Sequence, residues 1–383
     1  MEKTRAIVAT APGENHTPGS NWELEEISVP TTLKDGEILV EVSATGICHT
    51  DLLITSYPKE APGMAYPRVA GHEGSGHIKA LGPNLTKTHL KVGDPVLLSF
   101  DSCTKCDYCA ENRAAYCETF MAMNLFGTPE VFSSGDGNTK IAGKYFGQSS
   151  FANLTVCTEA SVLSAEGIAK NQEELNLFAP LGCGLQTGAG AVLNVARPEK
   201  DDIVMVLGLG GVGLSALMAA AVLGCKKIIA VDRVNSRLEL AKTLGATHTF
   251  DTTGVEDLTK ALKEVAGGRG PTCVIETTGA PPVIEAGYGC VANEGSFCLV
   301  GATQDPNYAL HIGTNAHLIR GVRLLGCVEG NSVPDEFIPQ LVAYYRKGQF
   351  PIDKISKFYK AEEFKTALHD MHTGATVKPI ITW

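Results

Sequence analysis

Three things are missing from this 383-residue chain, and each absence narrows what it can be. No apolar run approaches the roughly 18 residues that a bilayer-spanning helix needs. The opening Met1-Glu-Lys-Thr-Arg-Ala lacks the apolar core of a secretory signal, so the cytoplasm is the expected compartment. There is no basic surplus either. Lys and Arg number 32 against 42 Asp and Glu, and the net charge of −10 disfavours a nucleic-acid surface. No fixed-period repeat and no low-complexity linker interrupt the sequence. What remains is an ordinary globular composition, 44% hydrophobic and 19% charged, on a chain long enough for two domains with cores of their own.

The clearest feature is the stretch Ile203-Val-Met-Val-Leu-Gly-Leu-Gly-Gly-Val-Gly213, then a small-residue helix from Leu214, then Ile228-Ile-Ala-Val-Asp232. An unbroken apolar run reads as a strand buried on both faces of a parallel sheet. Gly208, Gly210 and Gly213 stand at G-x-G-x-x-G spacing. The first glycine permits a tight turn, the second lets backbone approach a pyrophosphate, and the third packs helix against strand. The helix N-terminus favours a phosphate. Asp232 stands where an acid accepts hydrogen bonds from an adenosine ribose. That favours NAD, because the 2′-phosphate of NADP would meet a carboxylate. Gly211 and Val212 within the loop, Arg233 and Arg237 beyond the acid, and Val300 at the end of a later strand are further candidate cofactor positions. A packed strand–turn–helix without ligand and a Rossmann-like methyltransferase use the same three glycines.

The texture of the chain changes along its length. Residues 1 to about 100 carry short apolar runs punctuated by Gly and Pro, an all-β pattern. Residues 101 to about 150 read as loop-rich, with an exposed turn at Ser133-Ser-Gly-Asp-Gly-Asn. From about 185 to 329, apolar strands alternate with helical patterns, which means βαβ units and a parallel sheet. A helix near 334–347 and a final strand at 379–383 read as a return to the first domain. The expected division is 1–184, 185–329 and 330–383.

Twelve cysteines in a cytosolic chain read as metal ligands or buried thiols before disulfides. Cys103, Cys106, Cys109 and Cys117 can wrap one tetrahedral Zn²⁺ and leave it no open position, so this ion would hold a loop. Two disulfides or four free thiols are the alternatives. Cys48, His72 and Cys183 would make a Cys₂His site with one exchangeable position, a catalytic zinc pattern. No spacing rule links residues so far apart, and singly each reads more often as a buried core side chain.

The motifs together resemble a zinc-containing medium-chain alcohol dehydrogenase. Gly71-His-Glu-x-x-Gly76-x₅-Gly82, the cysteine lobe at 103–117 and Val206-Leu-Gly-Leu-Gly-Gly-Val-Gly213 carry the resemblance. Phe146-Gly-Gln-Ser-Ser-Phe-Ala152 and the stretch from Pro180 to Asn194 are similar to aryl (benzyl) alcohol dehydrogenases. The resemblance implies an α/β fold, a doubly wound Rossmann sheet plus a mainly β, GroES-like catalytic domain. It implies two Zn²⁺ per chain, NAD, and hydride transfer between NAD(H) and a primary, bulky alcohol/aldehyde pair.

Residue by residue, it implies that Cys48, His72 and Cys183 bind the catalytic zinc, with Glu73 able to exchange onto it. Asp51 would orient the histidine, and Thr50 would take the alcohol proton. Thr187 would pack on nicotinamide, and His49 and Lys378 would lie at the pyrophosphate. Leu53 replaces a histidine that many relatives use to pass the proton to solvent. Ser99 replaces a bulky side chain, leaving room for a ring-bearing or branched alcohol. A homodimer is expected, with a tetramer as the alternative; the segment 119–146 resembles the longer loop of dimeric relatives. The rival readings are a formaldehyde-type dehydrogenase acting on a glutathione adduct, a step in an aromatic or polyketide-derived pathway, and a nucleotide-binding protein without catalysis.

Overall fold

The computed structural model describes residues 1–13 and 19–383. The chain forms two compact units. One comprises Met1–Cys183, Val333–Pro339 and Asp353–Trp383; the other comprises Gly184–Ser332 and Gln340–Ile352.

The first unit is mainly β. A closed barrel is made by Glu2–Ala9, Trp22–Val29, Thr128–Ser134, Lys140–Gly143 and the short Arg68–Val69. A seven-stranded sheet runs in the order Val162–Ser164, Pro95–Leu98, Gly74–Leu81, Glu37–Gly46, Lys378–Thr382, Ser356–Lys360, with Leu154–Thr158 also paired to Glu37–Gly46. The period-two rule explains how Glu37–Gly46 serves two cores. Ile38, Val40 and Val42 pack with Ile78, Val96 and Leu98, whereas Leu39 belongs to the larger cluster around Trp22, Phe132 and Phe151. Trp22 and Phe151 meet edge-on at 5.2 Å, and the indole N–H donates to Thr55 Oγ1 at 3.1 Å. Both faces of this central strand are therefore packed along its first half, and Glu41 and Ser43 alone are left open to solvent.

The segment 101–150, read as loop-rich, contributes the hairpin Thr128–Ser134/Lys140–Gly143 to the barrel. Its strands are short and bounded by Gly127 and Gly143, so no long alternation marks them. The exposed turn is where the sequence puts it, closed by Gly137 N–H to Ser134 O at 2.8 Å.

The second unit is a six-stranded parallel sheet ordered His248–Asp251, Lys227–Asp232, Ile203–Leu207, Cys273–Glu276, Ser296–Leu299, Arg323–Gly326. In chain order this is 3-2-1-4-5-6, the doubly wound arrangement whose switch point lies at the carboxyl ends of the first and fourth strands. Met205, Leu207, Ile229, Val231, Val274 and Phe297 fill one face, while Val204, Val206, Ile228 and Ile275 are buried on the other. The strand His248–Asp251 has no apolar run, which is why the pattern did not reveal it. As an edge strand, it needs less burial than its neighbours. The β-rich unit and the Rossmann sheet are the two architectures that the sequence implies.

Candidate functional site

In the first unit, Glu37–Gly46 ends at the short turn that carries Cys48, the N-cap of the helix His49–Ile54. Asp51 sits at the third position of that helix, fully buried, and its Oδ2 accepts the Cys48 N–H at 2.9 Å. Its Oδ1 accepts the Gly71 N–H at 3.2 Å and lies 2.7 Å from His72 Nδ1. One carboxylate thus caps a helix and fixes the direction of an imidazole, turning Nε2 away from it. His72 Nε2 is buried and has no hydrogen-bond partner.

What Nε2 faces is a donor set. Ligand atoms of Cys48, His72, Glu73 and Cys183 all lie within 4.8 Å of one another. Cys183 hydrogen-bonds the Cys48 thiol and, with the His72 imidazole, holds its pKa well below the ordinary value despite burial. Burial opposes charge on His72, yet the Asp51 carboxylate, with Cys48 behind it, raises its pKa well above the ordinary value. Two sulfurs, an orphaned imidazole nitrogen and a carboxylate in one largely buried place are a donor set that fits a zinc ion.

Glu73 is buried at 0% exposure, and burial raises its carboxyl pKa. Lys378 opposes that shift. Its ammonium lies 3.0 Å from both Glu73 oxygens and donates to Ile47 O at 3.2 Å. Lys378 is thus a buried lysine in an ion pair, and no solvated surface group. Thr50 Oγ1 is 3.6 Å from Cys48 Sγ, His49 is exposed, and Leu53 is half-buried on the same short helix. The ring of Phe146 stacks on His72 at 4.4 Å, and Tyr145 meets it edge-on at 5.4 Å. Phe120 and Phe100 continue that aromatic wall at 6.3 and 6.0 Å between successive centroids.

The lobe 103–117 makes a second cluster. Its four Sγ atoms fall within 4.8 Å of one another, with Cys106–Cys109 at 3.5 Å and Cys103–Cys109 at 3.9 Å. A tetrahedron with Zn–S near 2.3 Å has edges of about 3.8 Å, so the spacing is that of ligands sharing an ion. Backbone N–H groups of Lys105 and Cys106 bring the Cys103 thiol down to about 6, which favours the thiolate a metal needs. All four cysteines are free thiols.

In the second unit Gly208 has φ +88°, a turn that a side chain would strain. A Cβ on Gly213 would lie 1.8 Å from Gly208 O, so helix and strand touch through that glycine; one on Gly210 would meet nothing within 4 Å. Gly211, Val212 and Gly213 open the helix Gly211–Val222, of which Gly210 is the N-cap. Asp232 ends its strand, with Oδ2 accepting the Leu209 N–H at 2.7 Å and Oδ1 accepting those of Arg233 and Val234 at 2.7 and 2.9 Å. The acid therefore ties the glycine loop to the second strand. Arg233 is exposed and Arg237 half-buried beyond it, and Val300 N–H donates to Glu276 O at 2.9 Å just past its strand. Thr187 is buried in the helix Gly184–Gly190.

The structure brings together Cys48, Thr50, Asp51, His72, Glu73, Cys183 and Lys378 in one unit and the glycine loop with Asp232 in the other. The sequence reading missed the Lys378–Glu73 pair, the His72–Phe146 stack and Gln148. The motif Phe146–Ala152 was visible, but nothing in it named its targets.

A β unit with a Cys-His-Cys centre and a unit with a Rossmann sheet define the class of zinc-dependent dehydrogenases. The alcohol dehydrogenase GroES-like domain matches residues 34–166, and the zinc-binding dehydrogenase domain matches residues 211–344. The chain is 34% identical over 364 residues to a geraniol dehydrogenase of Castellaniella defragrans, covering 93% of this chain and 92% of that one. The crystal structure of a benzyl alcohol dehydrogenase from Acinetobacter calcoaceticus superposes with a TM-score of 0.87 at 38% identity, covering 100% and 99% of the two chains. An S-(hydroxymethyl)glutathione dehydrogenase of Photobacterium damsela subsp. piscicida is 36% identical over 265 residues, 69% of this chain and 67% of that one. The chain belongs to the zinc-containing medium-chain alcohol dehydrogenase family. It is a zinc alcohol/aldehyde oxidoreductase, and the family implies NAD(H) as its redox partner.

Proposed function

We propose that this enzyme interconverts a ring-bearing or allylic primary alcohol and its aldehyde with NAD(H), using one catalytic and one structural zinc per chain. The observation that carries this reading is the buried His72 Nε2, without a partner, facing Cys48 and Cys183. These three side chains hold the catalytic ion, and Cys103, Cys106, Cys109 and Cys117 hold the structural one. The bound ion supplies Lewis acidity, and the dinucleotide accepts or returns hydride. Asp51 keeps the imidazole turned to the centre through Nδ1. Thr50 Oγ1 takes the alcohol proton. Leu53, on the same short helix, offers no imidazole to carry that proton onward, so any relay beyond Thr50 would have to use other groups. Glu73 stands beside the centre as a ligand in reserve, held back by Lys378.

The first unit serves as the catalytic domain and the second as the dinucleotide domain. There Gly208–Gly213 would hold the pyrophosphate and Asp232 the ribose, Arg233, Arg237 and Val300 would serve the rest of the dinucleotide, and Thr187 would serve the nicotinamide. His49 serves the pyrophosphate; Lys378 does so only by loosening its hold on Glu73. The likeness to geraniol and benzyl alcohol dehydrogenases supports an unsaturated substrate, as does the wall Phe146–Phe120–Phe100.

The enzyme works in the cytoplasm as a homodimer. No described helix is long and apolar enough to cross a membrane. The edge strand Arg323–Gly326 carries exposed Leu324, and Leu318, Ile319 and Val328 are exposed nearby in sequence, an edge suited to pairing with a second copy. Light scattering behind size exclusion measures that state.

The substrate test is a panel of benzylic, allylic and aliphatic alcohols with hydroxymethylglutathione, read by absorbance of reduced nicotinamide. Benzylic and allylic alcohols should exceed short aliphatic ones by about tenfold or more in kcat/KM. Fastest turnover of hydroxymethylglutathione would assign the formaldehyde-type reaction instead.

A further inference from the structure

The motif Phe146–Ala152 lies on an unusual piece of backbone. Lys144, Phe146 and Ser149 have φ of 54°, 52° and 55°, and Gly147 has 67°. Three side-chain-bearing residues in the left-handed region within six positions are held only because the surroundings impose it. Here Lys144 is tied to Glu37 at 2.5 Å. Ser149 Oγ donates to Val69 O at 2.7 Å and accepts the Tyr145 N–H at 3.0 Å. Ser161 Oγ donates to Gly147 O at 3.0 Å.

What the bend delivers is the carboxamide of Gln148, buried at 0% exposure. Its Oε1 accepts the Gly74 N–H at 3.1 Å, and its Nε2 donates to His72 O at 3.0 Å and to Ser99 O at 2.9 Å. These partners fix the orientation of the amide. Reversed, it would set NH₂ against an N–H and an oxygen against two carbonyls. Ser99 then continues the connection, its Oγ donating to Gly182 O at 2.6 Å. Gly182 precedes Cys183 and lies so close to the sheet that a Cβ there would be 1.9 Å from Leu98 O. The chain of contacts therefore runs from the backbone of His72, through Gln148 and Ser99, to the residue before Cys183.

We propose that Gln148 and Ser99 are positioning residues, a hydrogen-bonded clamp that sets the separation of His72 and Cys183 and hence the shape of the catalytic metal centre. The proposal rests on the reading of Cys48, His72 and Cys183 as that centre. Asp51 aims the imidazole ring; the clamp holds the two main-chain segments from which His72 and Cys183 project. A centre whose ligand distances tolerate only about 0.2 Å needs both. The clamp also gives Ser99 a task beyond leaving room for substrate, because its hydroxyl is turned to Gly182.

The experiment uses the full-length holoenzyme and four variants: Gln148→Met, Ser99→Ala, Ser99→Thr and Cys48→Ala. Two readouts accompany kcat and KM. One is the visible spectrum of the cobalt(II)-exchanged protein after subtraction of the Cys48→Ala spectrum. The other is the rate at which zinc passes to a chromophoric chelator well below the unfolding temperature. Gln148→Met should shift the cobalt bands and release the catalytic metal about 10–100-fold faster. Ser99→Ala should do so about two- to tenfold, and Ser99→Thr, which keeps the hydroxyl, should return the rate to near wild type. Unchanged bands and release in Ser99→Ala, with only a lower Tm, would reduce the clamp to ordinary packing. That pair decides the matter even where Gln148→Met fails to fold. If Cys48→Ala removes no cobalt band from the wild-type spectrum, the metal centre itself is wrong, a failure distinct from that of the clamp.

Discussion

The two units place their chemistry by opposite means. In the first, Cys48, His72 and Cys183 come from three separated segments and are brought together by side-chain contacts, with His72, Glu73 and Asp51 wholly buried. In the second, Gly208, Gly210, Gly213 and Asp232 come from one strand–helix–strand passage, and the groups proposed to meet the dinucleotide are largely backbone N–H at a helix start. A buried donor set must be completed, because an imidazole and a carboxylate without partners are costly to hide. Backbone N–H groups at an exposed helix start can be satisfied by water. Deleting a side chain should therefore be close to all-or-none in the first unit and graded in the second.

The largest effect tests that contrast directly. Cys48→Ala should lower alcohol oxidation by on the order of 10³-fold or more, since the Lewis-acid contribution is several kcal/mol. Metal analysis should show one zinc per chain fewer. Dinucleotide affinity, measured by fluorescence titration, should stay within about twofold, as expected of independent sites. Full activity in this variant would take the metal out of the reaction.

Next in size is Asp51→Asn. The carboxylate serves Cys48 N–H, Gly71 N–H and His72 Nδ1 together, and an amide has only one acceptor oxygen to share among them. Loss of about 10–100-fold in zinc affinity or activity is expected. Wild-type zinc retention under chelator challenge would show that the helix cap is its only function.

Asp232→Ala should act more mildly and on selectivity. The ratio of kcat/KM for NAD over NADP should fall by about tenfold as the repulsion of the 2′-phosphate disappears. Some loop order is lost as well, because Asp232 accepts the Leu209 N–H. An unchanged ratio would assign ribose recognition elsewhere, and a loss as deep as that of Cys48→Ala would erase the contrast between the units.

The same contrast explains what could be read beforehand. The second unit's apolar strands, glycine loop and acid follow from periodicity and spacing, because those signals are local in sequence; only the edge strand His248–Asp251, which has no apolar run, escapes them. The cysteine lobe was legible for the same reason. The Cys48–His72–Cys183 centre was not, since its members are joined only by tertiary packing, and resemblance alone linked them. Lys378 illustrates the limit. Its meeting with Glu73 depends on the antiparallel pairing of Lys378–Thr382 with Glu37–Gly46, which no local pattern encodes. Gln148 is similar, for its partners at 72, 74 and 99 lie on two other strands or their ends.

The smallest effect concerns a buried acid in each unit. Asp51 faces an imidazole, whereas Glu276, at the end of Cys273–Glu276, faces only neutral donors. Its Oε1 accepts the Thr278 N–H at 2.7 Å and the Gly279 N–H at 3.2 Å, together with the Thr278 hydroxyl. Burial raises its carboxyl pKa above 4.5 against those hydrogen bonds. The folded state therefore binds this proton more tightly than the unfolded chain. Stability from this group is present in full below about pH 4.5 and is lost as pH rises through the folded value, at no more than about 1.4 kcal/mol per pH unit. Glu276→Gln, which keeps one acceptor oxygen, removes that slope. Unfolding midpoints of the two proteins between about pH 5 and 8 should converge or cross in the variant's favour as pH rises. Parallel curves would mean that Glu276 is ionised as easily when folded as when unfolded. The Rossmann unit would then tolerate a buried carboxylate with nothing but backbone and hydroxyl donors around it.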